Sequence, residues 1–182
     1  MKKIAVFLAN GFEEIEAISI IDVLRRASFD VTTVSINSSA QVTGSHNITI
    51  LTDNIFESME FDSFDMLVLP GGMPGAKNLN EHDGLKKLIL QFNESEKYLG
   101  AICAAPMVFG QLGILKNKNA TCFPGFENYL NDAKVTGASK EVAGNIVTGK
   151  GAGVAIEFAL QIVEILKDKK SAEELAKRMV VK

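Results

Sequence analysis

The sequence predicts a doubly wound α/β sandwich, in which helices cover both faces of a mostly parallel central sheet. Short apolar runs recur along the chain without polar alternation, which is typical of strands that are buried on both faces. Segments with helical periodicity lie between several of these runs, as in a series of βαβ units. With 182 residues and 47% hydrophobic content, residues 1–182 fit one domain with a sizeable core.

The elements follow from this pattern in chain order. The predicted strands, rich in Val, Ile, Leu and Phe, are residues 4–9, 31–36, 66–69, 99–102 and 146–147. The predicted helices, with apolar residues at helical spacing, are residues 14–27, 84–92, 104–112 and 154–166. Residues 41–52 alternate as in a hairpin or edge extension, and residues 120–148 mix short strands with turns. Ser171 followed by Glu174 predicts a capping box that opens a last short helix.

Composition and charge narrow the class of partner. The net charge is −3 and basic residues are not clustered, so neither a nucleic acid nor an anionic membrane surface is expected. No apolar run approaches the roughly 20 residues of a membrane span. The first apolar run leads directly into glutamates, which is typical of a first strand rather than a secretory signal. Two cysteines, Cys103 and Cys122, are too few for a disulfide framework, so the sequence predicts a cytoplasmic protein in a reducing compartment.

Three turns are the candidate site, because ligands of doubly wound sheets bind beyond the carboxyl ends of the strands. These turns are residues 10–16, 70–75 and 103–105. The first contains three carboxylates where a nucleotide-binding fold needs glycines or hydroxyls, so no flavin or dinucleotide cofactor is expected. The second reads Pro-Gly-Gly where a phospho-receiver domain needs an aspartate. Both of these α/β classes are therefore disfavoured.

Glu16 lies at the head of a helical row that continues through the apolar residues Ile20 and Val23. One interpretation is a surface glutamate that the helix dipole stabilises, which we also expect for Glu13 and Glu14. The other is a desolvated carboxyl group whose raised pKa lets it donate a proton. The pattern alone leaves both interpretations open.

Cys103 lies where a predicted strand ends and a helix begins. The small residues Ala104 and Ala105, followed by Pro106, suit a tight strand-to-helix elbow. A thiol at a helix N-terminus is predicted to have a depressed pKa and to be nucleophilic. An inert core cysteine is the alternative for Cys103, and it is the favoured interpretation of Cys122, which no helix follows.

The turn after the third predicted strand supplies the paired glycines Gly71 and Gly72. Their backbone amides would stabilise an oxyanion together with the Ala104 amide, although a plain tight turn is the simpler interpretation. A carboxyl group, a thiol and bare amides at one sheet edge make a stronger case for an active site than any one of them.

With these stretches in view, the chain resembles the ThiJ/PfpI superfamily, specifically its parkinsonism-associated deglycase branch and the bacterial YajL-like proteins. The matching motifs are GFEEIE at residues 11–16, DVLRRA at 22–27, VLPGG at 68–72, AICAAP at 101–106 and EFAL at 157–160. The resemblance implies a flavodoxin-like sandwich, similar to class I glutamine amidotransferases, that needs no cofactor. It also implies a reactive cysteine at Cys103, a protonated glutamate at Glu16, and oxyanion amides at Gly72 and Ala104.

Several positions depart from the family pattern. Ala104 stands where peptidase-like relatives have a histidine, so peptidase activity is not expected. Phe123 stands where some members have a histidine, while His46 and Lys150 replace arginines near the pocket. We interpret His46 as an exposed hairpin residue and His82 as part of a solvated loop. Two histidines without a third nearby ligand do not indicate a metal site.

The resemblance and the residues together predict an enzyme that acts on reactive carbonyls without glutathione, as a glyoxalase or protein deglycase that converts methylglyoxal to lactate. Cys103 would be the nucleophile and Glu16 the proton carrier. The alternative is an oxidative-stress sensor or redox-regulated chaperone that uses the same cysteine. The Asp22 and Arg25-Arg26 region, which the family uses at its twofold interface, predicts a homodimer.

Overall fold

The computed structural model describes residues 1–181. Its strands are β1 (Lys3–Leu8), β2 (Asp30–Ser35), β3 (Gln41–Thr43), β4 (Thr49–Leu51), β5 (Asn54–Ile55), β6 (Met66–Leu69), β7 (Tyr98–Ile102), β8 (Asn119–Ala120), β9 (Lys134–Val135), β10 (Lys140–Ala143) and β11 (Ile146–Gly149). Its α-helices are α1 (Glu14–Arg26), α2 (Gly75–Glu81), α3 (Asp83–Glu94), α4 (Pro106–Gln111), α5 (Ala155–Leu166) and α6 (Lys169–Arg178). Three short 3-10 turns complete the regular structure.

Seven strands form the central sheet in the order β10-β11-β7-β6-β1-β2-β5. All neighbours pair in parallel except the hairpin of β10 and β11. Because β1, β6 and β7 are adjacent and parallel, the turns that follow Leu8, Leu69 and Ile102 emerge at one edge of the sheet. The predicted α/β class with a mostly parallel sheet is confirmed.

The sheet separates two apolar cores, since successive side chains of a strand point to opposite faces. Ala5 and Phe7 of β1 face a core built with α2, α3 and α4. Ile4, Val6 and Leu8 face the other core, built with α1, α5 and α6. Each fully buried side chain of the size of Phe7 contributes about 1.5–3 kcal/mol of transfer free energy. This layering packs α1 on one face of the sheet and places its N-terminus, which follows β1, at the carboxyl edge.

Two features of the fold differ from the sequence prediction. Helix α2 was not predicted, because it is short and buries only Ala76 and Leu79 on its apolar side, besides its first glycine. The predicted last helix is present as α6, but the prediction that Ser171 caps it is wrong, because α6 already begins at Lys169. Its cap is Asp168, whose carboxylate accepts the Ser171 amide proton at 2.7 Å.

The antiparallel hairpin within residues 41–52 is confirmed as β3 and β4. None of the helices in residues 1–181 is long and apolar enough to cross a membrane.

Candidate active site

Cys103 occupies the turn between β7 and α4 in a left-handed backbone conformation, with φ of 65°. Such a conformation costs a residue other than glycine about 1–3 kcal/mol unless its surroundings hold it. Two backbone hydrogen bonds hold it here. The Cys103 amide donates to the Gly149 carbonyl at 2.9 Å, and the Cys103 carbonyl accepts the Phe123 amide proton at 2.8 Å. The residue is 9% exposed, so the elbow presents the thiol at the margin of the core.

Glu16 is completely buried at the start of α1, so it is not a surface glutamate. Its Oε2 accepts the Gly71 amide proton at 2.8 Å, and its Oε1 has no hydrogen-bond partner among the described residues. Burial raises the pKa of Glu16 to about 7, although the hydrogen bond from Gly71 opposes this shift. The carboxyl group therefore titrates near neutral pH, as an acid or base catalyst requires.

The N-terminus of α1 is tied to the turn after β6. The carboxylate of Glu13 caps the helix by accepting the Glu16 amide proton at 2.7 Å. The Glu13 amide in turn donates to the Gly71 carbonyl at 2.9 Å. These two bonds fix the first turn of α1, and with it the Glu16 backbone, next to the glycine turn.

Gly71 and Gly72 allow the three turns to approach one another. A Cβ atom at Gly71 would lie 2.6 Å from Cβ of Cys103 and 2.9 Å from Oε2 of Glu16. Gly72 has a φ of 89°, and a Cβ atom there would lie 2.6 Å from the Gly11 carbonyl oxygen. These distances are shorter than the contacts that real Cβ atoms make. Only glycine at both positions therefore lets the thiol and the carboxyl group flank this turn.

The backbone amides divide between the two side chains. The amides of Gly72 and Ala104 face the Cys103 sulfur and favour its ionised form. The prediction that Gly71 also serves as an oxyanion amide is wrong for this geometry, because its N–H is committed to Glu16. The amides of Gly72 and Ala104 are therefore the pair that is placed to receive a negative charge next to the sulfur.

The Glu16 carboxylate opposes ionisation of the Cys103 thiol, whereas the neutral thiol lowers the pKa of Glu16. Burial, followed by the charge of the Glu16 carboxylate, raises the pKa of the Cys103 thiol to about 12 and outweighs the two amides. The predicted depressed pKa of Cys103 is therefore wrong, and burial is the main reason. When Glu16 takes up a proton, this repulsion disappears, and the two amides then act against burial alone. The pair thus shares one negative charge, and a proton can pass from sulfur to carboxylate without changing the total.

Glu14 and His46 form an ion pair next to this site that sequence reasoning missed. Glu14 is buried, not a surface residue, because hairpin β3–β4 covers it. Its carboxylate accepts from the His46 amide at 2.6 Å and from His46 Nδ1 at 2.8 Å. Burial alone would raise the pKa of Glu14, but the hydrogen bonds from His46 and the Ile48 amide lower it to about 2. His46 itself is exposed, with 70% of its side-chain surface accessible.

The same region contains three potential metal ligands. Donor atoms of Glu13, Glu14 and His46 lie within 4.8 Å of one another. Each has another partner, since His46 bonds Glu14 and Glu13 caps α1. The arrangement is accounted for by an ion pair and a helix cap.

The remaining candidate residues lie in three different settings. Lys150 and Phe123 border an apolar cavity beside the Cys103 turn. Cys122 is 4% exposed and faces the core, as expected for a core cysteine, and burial raises its pKa to about 11. The expected solvated loop at His82 is wrong. Its ring packs against Phe56 at 4.6 Å between centroids, and its Nδ1 caps α3 by accepting the Leu85 amide proton at 3.0 Å.

Several known proteins are similar in sequence to this chain. A sequence profile of the DJ-1/PfpI family matches residues 2–165. Protein DJ-1 homolog B of Arabidopsis thaliana is 38% identical over 98% of this chain, which spans only 41% of that longer protein. Protein dj-1beta of Drosophila melanogaster is 36% identical, with 99% of this chain and 97% of that protein covered.

Solved structures of similar proteins superpose closely on this chain. The oxidized form of Toxoplasma gondii DJ-1 superposes with a TM-score of 0.94 at 33% identity, covering 99% of this chain and 98% of that one. Drosophila melanogaster DJ-1beta superposes with a TM-score of 0.93 at 35% identity, covering 100% of this chain and 98% of that one. These matches confirm both the flavodoxin-like fold and the resemblance found in the sequence. The chain belongs to the DJ-1/PfpI family.

Proposed function

We propose that the protein is a cofactor-free enzyme that converts small 1,2-dicarbonyl compounds, such as methylglyoxal, to 2-hydroxy acids. The observation that carries this proposal is the placement of the Cys103 elbow and the buried Glu16 carboxyl group on either side of Gly71. A nucleophile, a proton carrier that titrates near neutral pH and two free amides suit carbonyl addition. The family includes enzymes, which agrees with this class of activity.

The first step is addition to the aldehyde. The Glu16 carboxylate takes the Cys103 proton as the sulfur attacks the aldehyde carbon and forms a C–S bond. The carbonyl π electrons move to the oxygen, whose negative charge lies between the amides of Gly72 and Ala104. Glu16 then gives the proton to this oxygen, which yields the neutral hemithioacetal and restores the Glu16 carboxylate.

The second step moves hydrogen between the two carbons. A carboxylate at Glu16 removes the proton from the former aldehyde carbon to give an enediol, and then returns a proton to the neighbouring carbon. The first carbon is thereby oxidised to a thioester and the second is reduced to an alcohol. Water then hydrolyses the thioester, which releases lactate and restores the Cys103 thiol. The sum is methylglyoxal plus water to lactic acid, with no external oxidant or reductant.

The same chemistry extends to deglycation. In an amine or thiol adduct of methylglyoxal, Cys103 would displace the amine or thiol from the former aldehyde carbon. Glu16 would pass the Cys103 proton to the departing nitrogen or sulfur, which leaves the same hemithioacetal on Cys103. Removal of free aldehyde would produce the same net result by reversal of the adduct.

Steady-state turnover tests the proposal. Purified protein should produce many equivalents of lactate per chain from methylglyoxal, and the Cys103→Ser variant should produce none above the uncatalysed rate. Cys122→Ser is the matched control, because that thiol is buried away from the glycine turn and should leave turnover unchanged. Product that never exceeds one equivalent per chain would contradict the enzyme proposal.

A redox sensor or redox-regulated chaperone is the second candidate. One observation favours it, since a structure 33% identical to this chain is of an oxidized DJ-1. In this role peroxide would oxidise the Cys103 thiolate to sulfenate and then to sulfinate, releasing water in each step. The two cysteines lie on separate tryptic peptides, residues 98–116 and 119–134. Graded peroxide should oxidise the first peptide before the second, and equal oxidation in mass spectrometry would exclude this role.

A further inference from the structure

An apolar cavity of about 380 Å³ lies beside the Cys103 turn. Residues 123–124 form one wall and residues 150–154 form the other. We call it the Phe123 pocket, because 47% of the surface of Phe123 remains exposed. Such exposure of a phenyl ring, in a residue whose amide bonds the Cys103 carbonyl, leaves apolar surface available for a ligand.

Both walls of the pocket are joined to the peptide of Cys103. The Phe123 amide donates to the Cys103 carbonyl, and Gly149, which precedes the second wall, accepts from the Cys103 amide. The walls also approach each other, since a Cβ atom at Gly151 would lie 3.2 Å from the Phe123 ring. The pocket therefore keeps a fixed position relative to the sulfur-bearing residue.

The chemistry of the walls excludes a polar occupant. Besides Lys150, the lining is Phe, Pro, Gly, Ala and Val, with neither an acidic side chain nor a histidine among the described residues that border it. The Lys150 ammonium donates to the Gly137 carbonyl at 2.9 Å, outside the lining of the pocket. An apolar group gains free energy there, whereas a hydroxyl or carboxylate loses water without a partner.

We propose that the Phe123 pocket receives the apolar substituent of the dicarbonyl substrate. The protein then prefers 1,2-dicarbonyls with an aryl or branched alkyl group, such as phenylglyoxal, over methylglyoxal. This inference rests on the proposed function of Cys103 and adds the class of substrate. A single methylene in an apolar pocket is worth about 10–200-fold in selectivity, so a phenyl group in place of methyl should raise kcat/KM at least about tenfold.

Two substitutions in the pocket test this preference. Phe123→Ala removes the aromatic wall, and Ala152→Leu fills the cavity from the opposite side. Each should lower the ratio of kcat/KM for phenylglyoxal to that for methylglyoxal by about tenfold. Tyr129→Ala is the matched control, since it removes another partly exposed ring of the same chain segment that does not border the pocket. An unchanged ratio in both pocket variants would overturn the inference.

Alkylation of Cys103 gives a readout that does not depend on turnover. N-phenylmaleimide and N-methylmaleimide react by the same addition, and their rate ratio is divided by that for N-acetylcysteine. The rate of alkylation of Cys103 is followed on the peptide of residues 98–116. The corrected rate ratio should favour N-phenylmaleimide about tenfold in the wild type, and Phe123→Ala should abolish this preference. A preference without multiple turnover would support the pocket while the enzyme proposal fails. Turnover without any aromatic preference would overturn the pocket alone.

Discussion

The His46 imidazole and the Glu14 carboxylate connect hairpin β3–β4 to the first turn of α1, which positions Glu16. His46 Nδ1 donates to Glu14 Oε2 at 2.8 Å, and the Ser45 hydroxyl contacts both groups at 3.2 Å. The Glu14 carboxylate raises the pKa of His46 above 6.5, with a smaller contribution from Glu13. The pair thus couples a solvent-exposed cation to a buried anion close to the site.

The pH dependence of stability follows from these two shifts. The depressed pKa of Glu14, about 2, stabilises the fold above pH 4.5 and loses this effect as the pH falls toward 2. The raised pKa of His46 stabilises the fold below pH 6.5 and loses this effect as the pH rises through the raised value. The melting temperatures of wild type and His46→Ala should therefore differ most between about pH 4.5 and 6.5. An equal difference at pH 5.5 and pH 9 would show that the ion pair is not responsible.

The N-cap of helix α6 is Asp168, whereas the sequence suggested Ser171. The Asp168 carboxylate accepts the Ser171 amide proton at 2.7 Å, while the Ser171 hydroxyl only donates to Asp168 at 3.0 Å. Asp168→Ala should lower the free energy of unfolding by about 1 kcal/mol. Ser171→Ala, the matched control, should lower it by less than about 0.5 kcal/mol. Urea denaturation measures both, and a larger loss for Ser171→Ala would refute this assignment.

Elements with strong periodic patterns could be predicted, and elements that depend on distant contacts could not. Helix α1 alternates its buried and exposed residues regularly, so its predicted range ends within one residue of the observed helix. The burial of Glu14 is different, because its partner His46 is 32 residues away and only the folded hairpin brings them together. His82 is likewise partly covered by Phe56, a contact between residues distant in sequence that no local pattern encodes.

The same distinction applies to the candidate site. The three turns were predicted to converge because parallel strands end at one edge of a sheet. The roles of single amides could not be predicted, because Gly71 and Gly72 are adjacent in sequence yet donate to different side chains. The pKa of Cys103 was also mispredicted, since the helix N-terminus argued for the thiolate, whereas burial and the nearby Glu16 carboxylate oppose it.

At the scale of the whole molecule, we propose a homodimer that forms through α1 and the hairpin β3–β4. The apolar side chains exposed there are Ile15, Ile18, Ile48 and Leu51. The arginines that suggested an interface form ion pairs within the chain. Arg26 pairs with Asp22 at 2.6 Å, and Arg25 pairs with Asp53 at 2.9 Å. The apolar residues therefore carry the proposal.

Light scattering tests this assembly. The wild type should have twice the mass of one chain at micromolar concentration, and Ile18→Asp should shift it toward monomer by placing a charge in the apolar contact. Val142→Asp, at a partly exposed position on edge strand β10, is the control and should leave the mass unchanged. A monomeric wild type would contradict the dimer.

The kinetics of Glu16→Gln test the proposal that Glu16 moves the protons while Cys103 forms the bond to substrate. Glutamine keeps the shape of the side chain and an oxygen for the Gly71 amide, but it cannot take up a proton. We expect kcat for methylglyoxal to fall at least about 100-fold, or about 2.7 kcal/mol, while iodoacetamide still alkylates Cys103. A kcat within about threefold of the wild type would contradict it, because general acid–base catalysis typically contributes more than that.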